Sequence, residues 1–194
     1  MSEPLFRINM KWSNKPEKWN FSNGILTVEV TPRSDYWQKT HYSFIADNGP
    51  FYYIEKEGDF EVSVKITGDY RTTYDQMGLL IRLNEKHWIK TGIEYVNGIY
   101  NFSAVVTHDF SNWNIIPLNG RPKSLWLKTV RKIDAVEIFY SLDGLKWQMS
   151  NIAYFPPQVP VMAGMMSASP EGTGFKAVFE HFKIADIKDT NKTD

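Results

Sequence analysis

Trp37, Lys39 and His41 stand at alternate positions, so an extended chain carries an aromatic ring, a cation and an imidazole on one side. Burying such groups together is costly, which points to a cleft or groove wall. The plainer alternative is an exposed loop whose Trp37 covers the edge of the core. A second set alternates in two runs, with Gln76, Gly78, Leu80 and Arg82 on one side of the first and Trp88, Lys90, Gly92 and Glu94 on one side of the second. A glycine inside a strand weakens it unless something approaches the backbone closely, so Gly78 and Gly92 suggest a concave floor beneath a ligand. Against this stands a solvated face with cross-strand pairs such as Arg82 or Lys90 with Glu94. Two polar, aromatic stretches, Tyr74-Asp75-Gln76 and His108-Asp109-Phe110-Ser111-Asn112-Trp113, are placed to serve as rim loops. Aromatic faces stack on sugar C–H surfaces while Asp, Asn, Gln and Arg satisfy hydroxyls. The expected chemistry is therefore carbohydrate recognition. Trp37 stacks, Lys39, His41, Gln76, Arg82 and Lys90 donate hydrogen bonds, Glu94 accepts them, and Asp75 stands at the rim.

Other chemistries find less support. Glycoside hydrolysis needs two carboxyl groups facing across a groove. Glu55, Glu57 and Asp59 alternate, but Gly58-Asp59 reads as a turn that breaks their common face. His41, His87, His108 and His181 show no metal-ligand spacing, and the absence of cysteine removes thiolate catalysis and cysteine-based metal sites. Asp75, Asp109 and Asn112 form no calcium-loop pattern. A Gly-x-Ser-x-Gly elbow, a P-loop and a dinucleotide fingerprint are all missing from the chain. No metal, cofactor or catalytic residue is expected. An enzymatic reading would make Glu94 the acid or base beside His41 or Asp75.

The elements that must position these residues are strands. Phe60, Val62, Val64 and Ile66 alternate with Glu61, Ser63 and Lys65, the signature of a half-buried strand. Comparable runs are read at 25–30, 76–83, 88–96, 100–107, 124–132, 135–141, 160–168 and 174–184. Met77, Leu79, Ile81 and Leu83 should face the core with Ile89, Ile93 and Tyr95. Asn97-Gly98 supplies the positive φ that a type I′ hairpin needs, and Asp143-Gly144 marks another turn. Helical periodicity is lacking, although 35–40 and 109–113 could hold single helical turns. Strands so spaced predict an all-β, two-sheet antiparallel jelly-roll sandwich.

At 194 residues, 42% of them hydrophobic and 15% aromatic, the chain can bury one sizeable core. A single domain over 1–187 is expected, followed by a polar tail at 188–194. The 22 basic and 22 acidic side chains cancel, so no global field draws nucleic acid or an anionic membrane. Neither a signal-like segment nor a bilayer-length apolar run occurs, which predicts a cytoplasmic protein.

The ordered motifs Trp12…Trp19, Asp35-Tyr-Trp-Gln-Lys-Thr-His41, Tyr74-Asp-Gln-Met-Gly-Leu79, Trp88-Ile-Lys-Thr-Gly-Ile-Glu94 and Ser169-Pro-Glu-Gly-Thr-Gly-Phe175 resemble an uncharacterised, regulation-of-enolase-like family in the concanavalin A-like lectin/glucanase superfamily. The likeness spans about residues 5–186 and implies a concanavalin A-like jelly roll. It implies no activity, because fold alone is a poor guide to function. The superfamily's glucanases carry a Glu-x-Asp-x-Glu type of triplet on the concave sheet and its lectins an Asp/Asn-rich metal loop, and this chain matches neither. The leading expectation is a non-catalytic module binding a carbohydrate or another small sugar-like molecule. Its alternatives are a carbohydrate-active enzyme using Glu94, and a regulatory protein that binds a cytosolic metabolic enzyme. A protein partner or a homodimer fits the last of these.

Overall fold

The structure, a computed structural model, describes residues 9–187, and the tail expected at 188–194 lies outside them. The described residues form strands and turns without an α-helix, so no helix among them is long and apolar enough to cross a membrane.

One sheet runs, edge to edge, through β1 (Lys11–Ser13), β6 (Phe51–Lys56), β15 (Val161–Ala168), β8 (Gln76–Asn84), β9 (His87–Val96), β10 (Ile99–His108) and β11 (Phe110–Pro117). The facing sheet runs through β14 (Gln148–Tyr154), β13 (Ala135–Ser141), β12 (Leu125–Lys132), β7 (Phe60–Gly68), β16 (Lys176–Asp186), β3 (Ile25–Glu29) and β2 (Trp19–Ser22). All neighbours within both sheets are antiparallel, and the pair packs as a jelly-roll sandwich. Alternation decides which side chains meet: Phe60, Val62, Val64 and Ile66 of β7 are at most 1% exposed. They pack in one core with Met77, Leu79, Ile81, Ile89 and Ile93 from the other sheet, as the sequence predicts.

A hairpin of β4 (Tyr36–Gln38) and β5 (Ile45–Asp47) lies against the other face of the first sheet. Tyr36 and Trp37 meet Leu80, Trp88, Val105 and Met166 there in a second, smaller core. That face is therefore largely covered, where the sequence reading expects an open polar floor. It also explains why β8 is buried at six consecutive positions, Gln76–Ile81, instead of alternating.

The hairpin corrects a local expectation as well. Of the stretches 35–40 and 109–113, read as possible helical turns, residues 36–38 form β4 and residues 110–113 lie in β11. Asp109, at φ 59°, is the single residue between the paired His108 and Phe110, so β10 reverses directly into β11. The Ser111 hydroxyl then bonds the Thr107 hydroxyl at 2.8 Å and accepts the Gln38 amide at 2.9 Å, tying β4 to the sheet.

Gly78 and Gly92 are cross-strand partners. A Cβ on Gly92 would lie 1.9 Å from the Met77 carbonyl oxygen, and one on Gly78 1.9 Å from that of Thr91. The close approach they permit is strand to strand, and neither lines the main cleft described below. Asn97 and Gly98, at φ 50° and 85°, form the expected type I′ turn between β9 and β10.

Candidate functional site

Between the hairpin and the sheet opens a cleft of about 450 Å³. Two strands of the sheet build its floor. On β8 and β9 the positions that point away from the main core bring Gln76, Lys90 and Glu94 together, each no more than 6% exposed. Trp37 and Tyr42, 5.7 Å apart edge-to-face, make the hairpin wall, with Phe44 beyond them. Tyr74 and Trp113, 6.3 Å apart, make the opposite wall from the loop before β8 and from β11. Arg33 and Glu171 stand at the rim.

Buried charge on this floor is held by two hydrogen-bonded clusters, one around Lys90 and Asp35 and one around Glu94. Lys90 Nζ donates to the Tyr36 carbonyl at 2.8 Å and lies 3.6 Å from Asp35 Oδ1. That oxygen also accepts the Tyr36 amide at 2.7 Å and Gln76 Nε2 at 3.3 Å. Glu94 Oε2 accepts the Ser103 hydroxyl at 2.7 Å and the Trp113 indole N–H at 2.8 Å. Burial raises the Glu94 carboxyl above the ordinary carboxylate range. Lys90, Ser103 and Trp113 oppose the shift, and the negative charge of Asp35 adds to it. The Tyr74 phenol is also raised, first by burial and then by Tyr42, Glu171 and Glu94, all of which line the same cleft.

The structure brings Trp37, Gln76, Lys90 and Glu94 of the sequence-predicted set into this cleft. It does not bring the other four. Lys39 and His41 follow β4 at φ 56° and 63°, so they do not continue its alternation, and they border a separate shallow surface with Phe110. The Thr40 amide bonds the Gln38 carbonyl and the Tyr42 amide bonds the Thr40 carbonyl, both at 2.7 Å. These are two successive γ-turns of positive φ, a strained form. Arg82 is engaged in an ion pair with Asp47 on β5 and helps fasten the hairpin. Asp75 is fully buried, where Oδ2 accepts the Arg71 and Thr72 amides, each at 2.8 Å, and Oδ1 accepts the Ser169 hydroxyl at 2.6 Å. It pins the loop before β8 instead of facing the cleft.

Sequence reasoning did not single out Asp35, Tyr42, Tyr74, Trp113 or Glu171 as ligand contacts. Tyr74 and Trp113 lie in the stretches read as rim loops, and Asp35 two positions before Trp37, but nothing local shows that a hairpin folds back to set Asp35 beside Lys90.

With this geometry in place, comparisons give the chain's relatives. Residues 12–187 match the family described as "Protein of unknown function (DUF1349)". The Saccharomyces cerevisiae protein called "Regulation of enolase protein 1" is 31% identical over 173 residues, 89% of this chain and 87% of its own length. The crystal structure of a functionally unknown S. cerevisiae protein shares 30% identity with a TM-score of 0.89, over 93% of this chain and 98% of that one. More distant likeness shows the fold alone. A GH43 protein of Bacillus licheniformis gives a TM-score of 0.73 at 16% identity, over 93% of this chain and 37% of that one. A legume lectin-like domain from Entamoeba histolytica gives 0.63 at 10%, over 94% and 92%. The fold is thus that of the concanavalin A-like jelly rolls, and by both the family match and the yeast relative the chain belongs to the DUF1349 family.

Proposed function

We propose that the cleft between the β4–β5 hairpin and the sheet binds a small sugar-like molecule, and that the protein acts by binding it without turning it over. One observation carries this reading: aromatic walls from Trp37, Tyr42, Tyr74 and Trp113 enclose a floor of nearly buried hydrogen-bonding groups. Such a combination offers ring faces to C–H surfaces and fixed polar atoms to hydroxyls. The volume falls within the range of small-molecule sites, about 300–1,000 Å³. The lectin-like and GH43 fold likenesses agree with it at the level of architecture. The hydrolase alternative in the form read from the sequence is not met, because His41 and Asp75, the partners it would give Glu94, stand outside the cleft, and the carboxyl that does share the floor with Glu94, that of Asp35, is engaged with Lys90, Gln76 and the Tyr36 amide. The cytoplasmic location expected from the sequence is part of the same proposal.

The test uses the protein's own reporters, since Trp37 and Trp113 line the cleft. Titration with a panel of monosaccharides and disaccharides should change tryptophan emission saturably. Tyr42→Ala should weaken binding by about threefold to tenfold, the worth of one aromatic contact. Saturable binding that Tyr42→Ala and Trp113→Phe leave unchanged would place the ligand elsewhere and end this reading.

A second reading, a regulatory protein that binds a metabolic enzyme, draws on the name of the yeast relative and on one surface. The edge strand β14 exposes Met149, Ile152 and Tyr154 by 51%, 57% and 59%. Ile152→Lys should abolish co-purification of enolase if that edge is the contact, and leave ligand titrations unaltered.

A further inference from the structure

The hydrogen bonds left over on the cleft floor are unequal in kind. Both protons of Gln76 Nε2 are used, toward Asp35 Oδ1 at 3.3 Å and the Tyr74 carbonyl at 3.2 Å. Lys90 Nζ is held by the Tyr36 carbonyl and by Asp35. Glu94 uses only Oε2 and Asp35 only Oδ1, so Glu94 Oε1, Asp35 Oδ2 and Gln76 Oε1 have no hydrogen-bond donor among the described residues. Acceptors on two carboxylates and one amide are left open, whereas Gln76 has no donor left and Lys90 Nζ, with two contacts, keeps one proton. Two carboxylates also outnumber the one lysine at this depth, while Arg33 and Glu171 offset each other at the exposed rim. Around the floor stand the rings of Trp37, Tyr42, Tyr74 and Trp113, whose faces attract cations.

We infer that the ligand carries a protonated amine that sits on Glu94 Oε1: an amino sugar within the sugar-like class. This rests on the binding reading above and adds the group that decides affinity. An ammonium supplies three donors to an acceptor-rich floor and neutralises the surplus carboxylate. The neutral hydroxyl in the same place supplies one donor and no charge. An N-acetyl group removes the charge and most of the donors. Burial of Glu94 adds a dependence on pH, because the carboxyl must ionise before it can pair with the amine.

The experiment is calorimetric titration of the full chain with glucosamine, glucose, N-acetylglucosamine and tetramethylammonium, at about pH 6.5, where an amine of pKa near 7.7 is largely protonated. Glucosamine should bind at least about tenfold more tightly than glucose or N-acetylglucosamine, a difference of about 1.4 kcal/mol. Glu94→Gln should erase that preference, bringing the affinity for glucosamine to that for glucose. On the wild-type chain, whose fold is not in question, glucosamine affinity should rise with pH as Glu94 ionises, and glucose affinity should not. Equal affinity for glucose and glucosamine overturns the inference and leaves the sugar reading standing. Tetramethylammonium, which has no N–H donor, binding as tightly as glucosamine with no competition from glucose would show that the rings alone hold a cation, and overturns both the amine contact to Glu94 and the sugar reading. Failure of all four probes to bind removes both.

Discussion

Replacing Gly92 by alanine isolates the most crowded backbone contact of the sheet. The added methyl would lie 1.9 Å from the Met77 carbonyl oxygen, 2.7 Å from its carbon and 2.9 Å from Gly78 Cα, all of them backbone atoms that cannot rotate away. Ordinary contact begins at 3.4 Å, so β8 and β9 must part locally by more than an ångström. Strands sit about 4.8 Å apart, and an opening of this size breaks the ladder bonds beside the Gly78–Gly92 pair. Two lost hydrogen bonds at roughly 0.5–1.5 kcal/mol each, with overpacking strain of about 1–3 kcal/mol, give a destabilisation of about 2–6 kcal/mol. Urea denaturation reads this directly: with a slope of about 2–3 kcal/mol/M, the midpoint should fall by about 1–3 M. Gly78→Ala should cost a similar amount, and the double variant less than the sum, since strands already parted accept the second methyl cheaply. A Gly92→Ala chain within about 0.5 kcal/mol of wild type would refute the argument. Gly92 would then be free to serve a ligand, as the sequence alone suggests.

Three further outcomes follow from the site and its supports. Because burial raises Glu94, the folded chain keeps that proton to higher pH than the unfolded chain, so stability falls as pH rises from the ordinary carboxylate value through the raised one. Denaturant titrations between about pH 4 and 8 should show this slope in wild type and not in Glu94→Gln, and parallel profiles would contradict it. Asp75→Ala strips the partners from two backbone amides and the Ser169 hydroxyl, and should cost about 2–4 kcal/mol without changing cleft affinity per folded molecule. Weakened ligand binding by a fully folded Asp75→Ala chain would move Asp75 back into the site. Asp143, lowered to about 2 by the Lys146 and Leu145 amides and the Ser141 hydroxyl, stabilises the β13–β14 turn above the ordinary carboxylate pKa. The stability lost in Asp143→Asn, measured by thermal unfolding, should shrink as the pH falls toward about 2; a loss independent of pH would show that charge plays no part.

What the sequence shows and what it hides divide along physical lines. Period-two alternation is created by one wet and one dry face, and β7 with its clean pattern is legible for that reason. The same logic locates Gln76, Lys90 and Glu94 on one side of β8 and β9. It fails for Lys39 and His41 because alternation holds only while φ stays extended, and both residues adopt positive φ without being glycine. β4 and β11 are hidden for another reason. Their pairing depends on distant contacts, such as the Gln38 amide on Ser111, 73 residues along the chain. Asp75 reads as a rim residue because an acid in a loop is ordinarily solvated, and only the fold reveals the three donors that bury it. Gly78 and Gly92 carry a correct signal, close approach, but composition cannot say whether a ligand or a neighbouring strand does the approaching.

The hairpin wall and the sheet floor differ in what holds them. Gln76, Lys90 and Glu94 are fixed by strand pairing on both sides, and changing them disturbs buried hydrogen bonds. Tyr42 and Phe44, 51% and 45% exposed, ride on the γ-turn tip beyond Trp37, where little of the core depends on them. Drift in the six residues from Lys39 to Phe44 is therefore cheap for stability and direct in its effect on the mouth. A lineage could retune which molecule enters by substitutions in this tip while the charge-bearing floor is inherited unchanged, so selectivity and foldability can evolve almost independently.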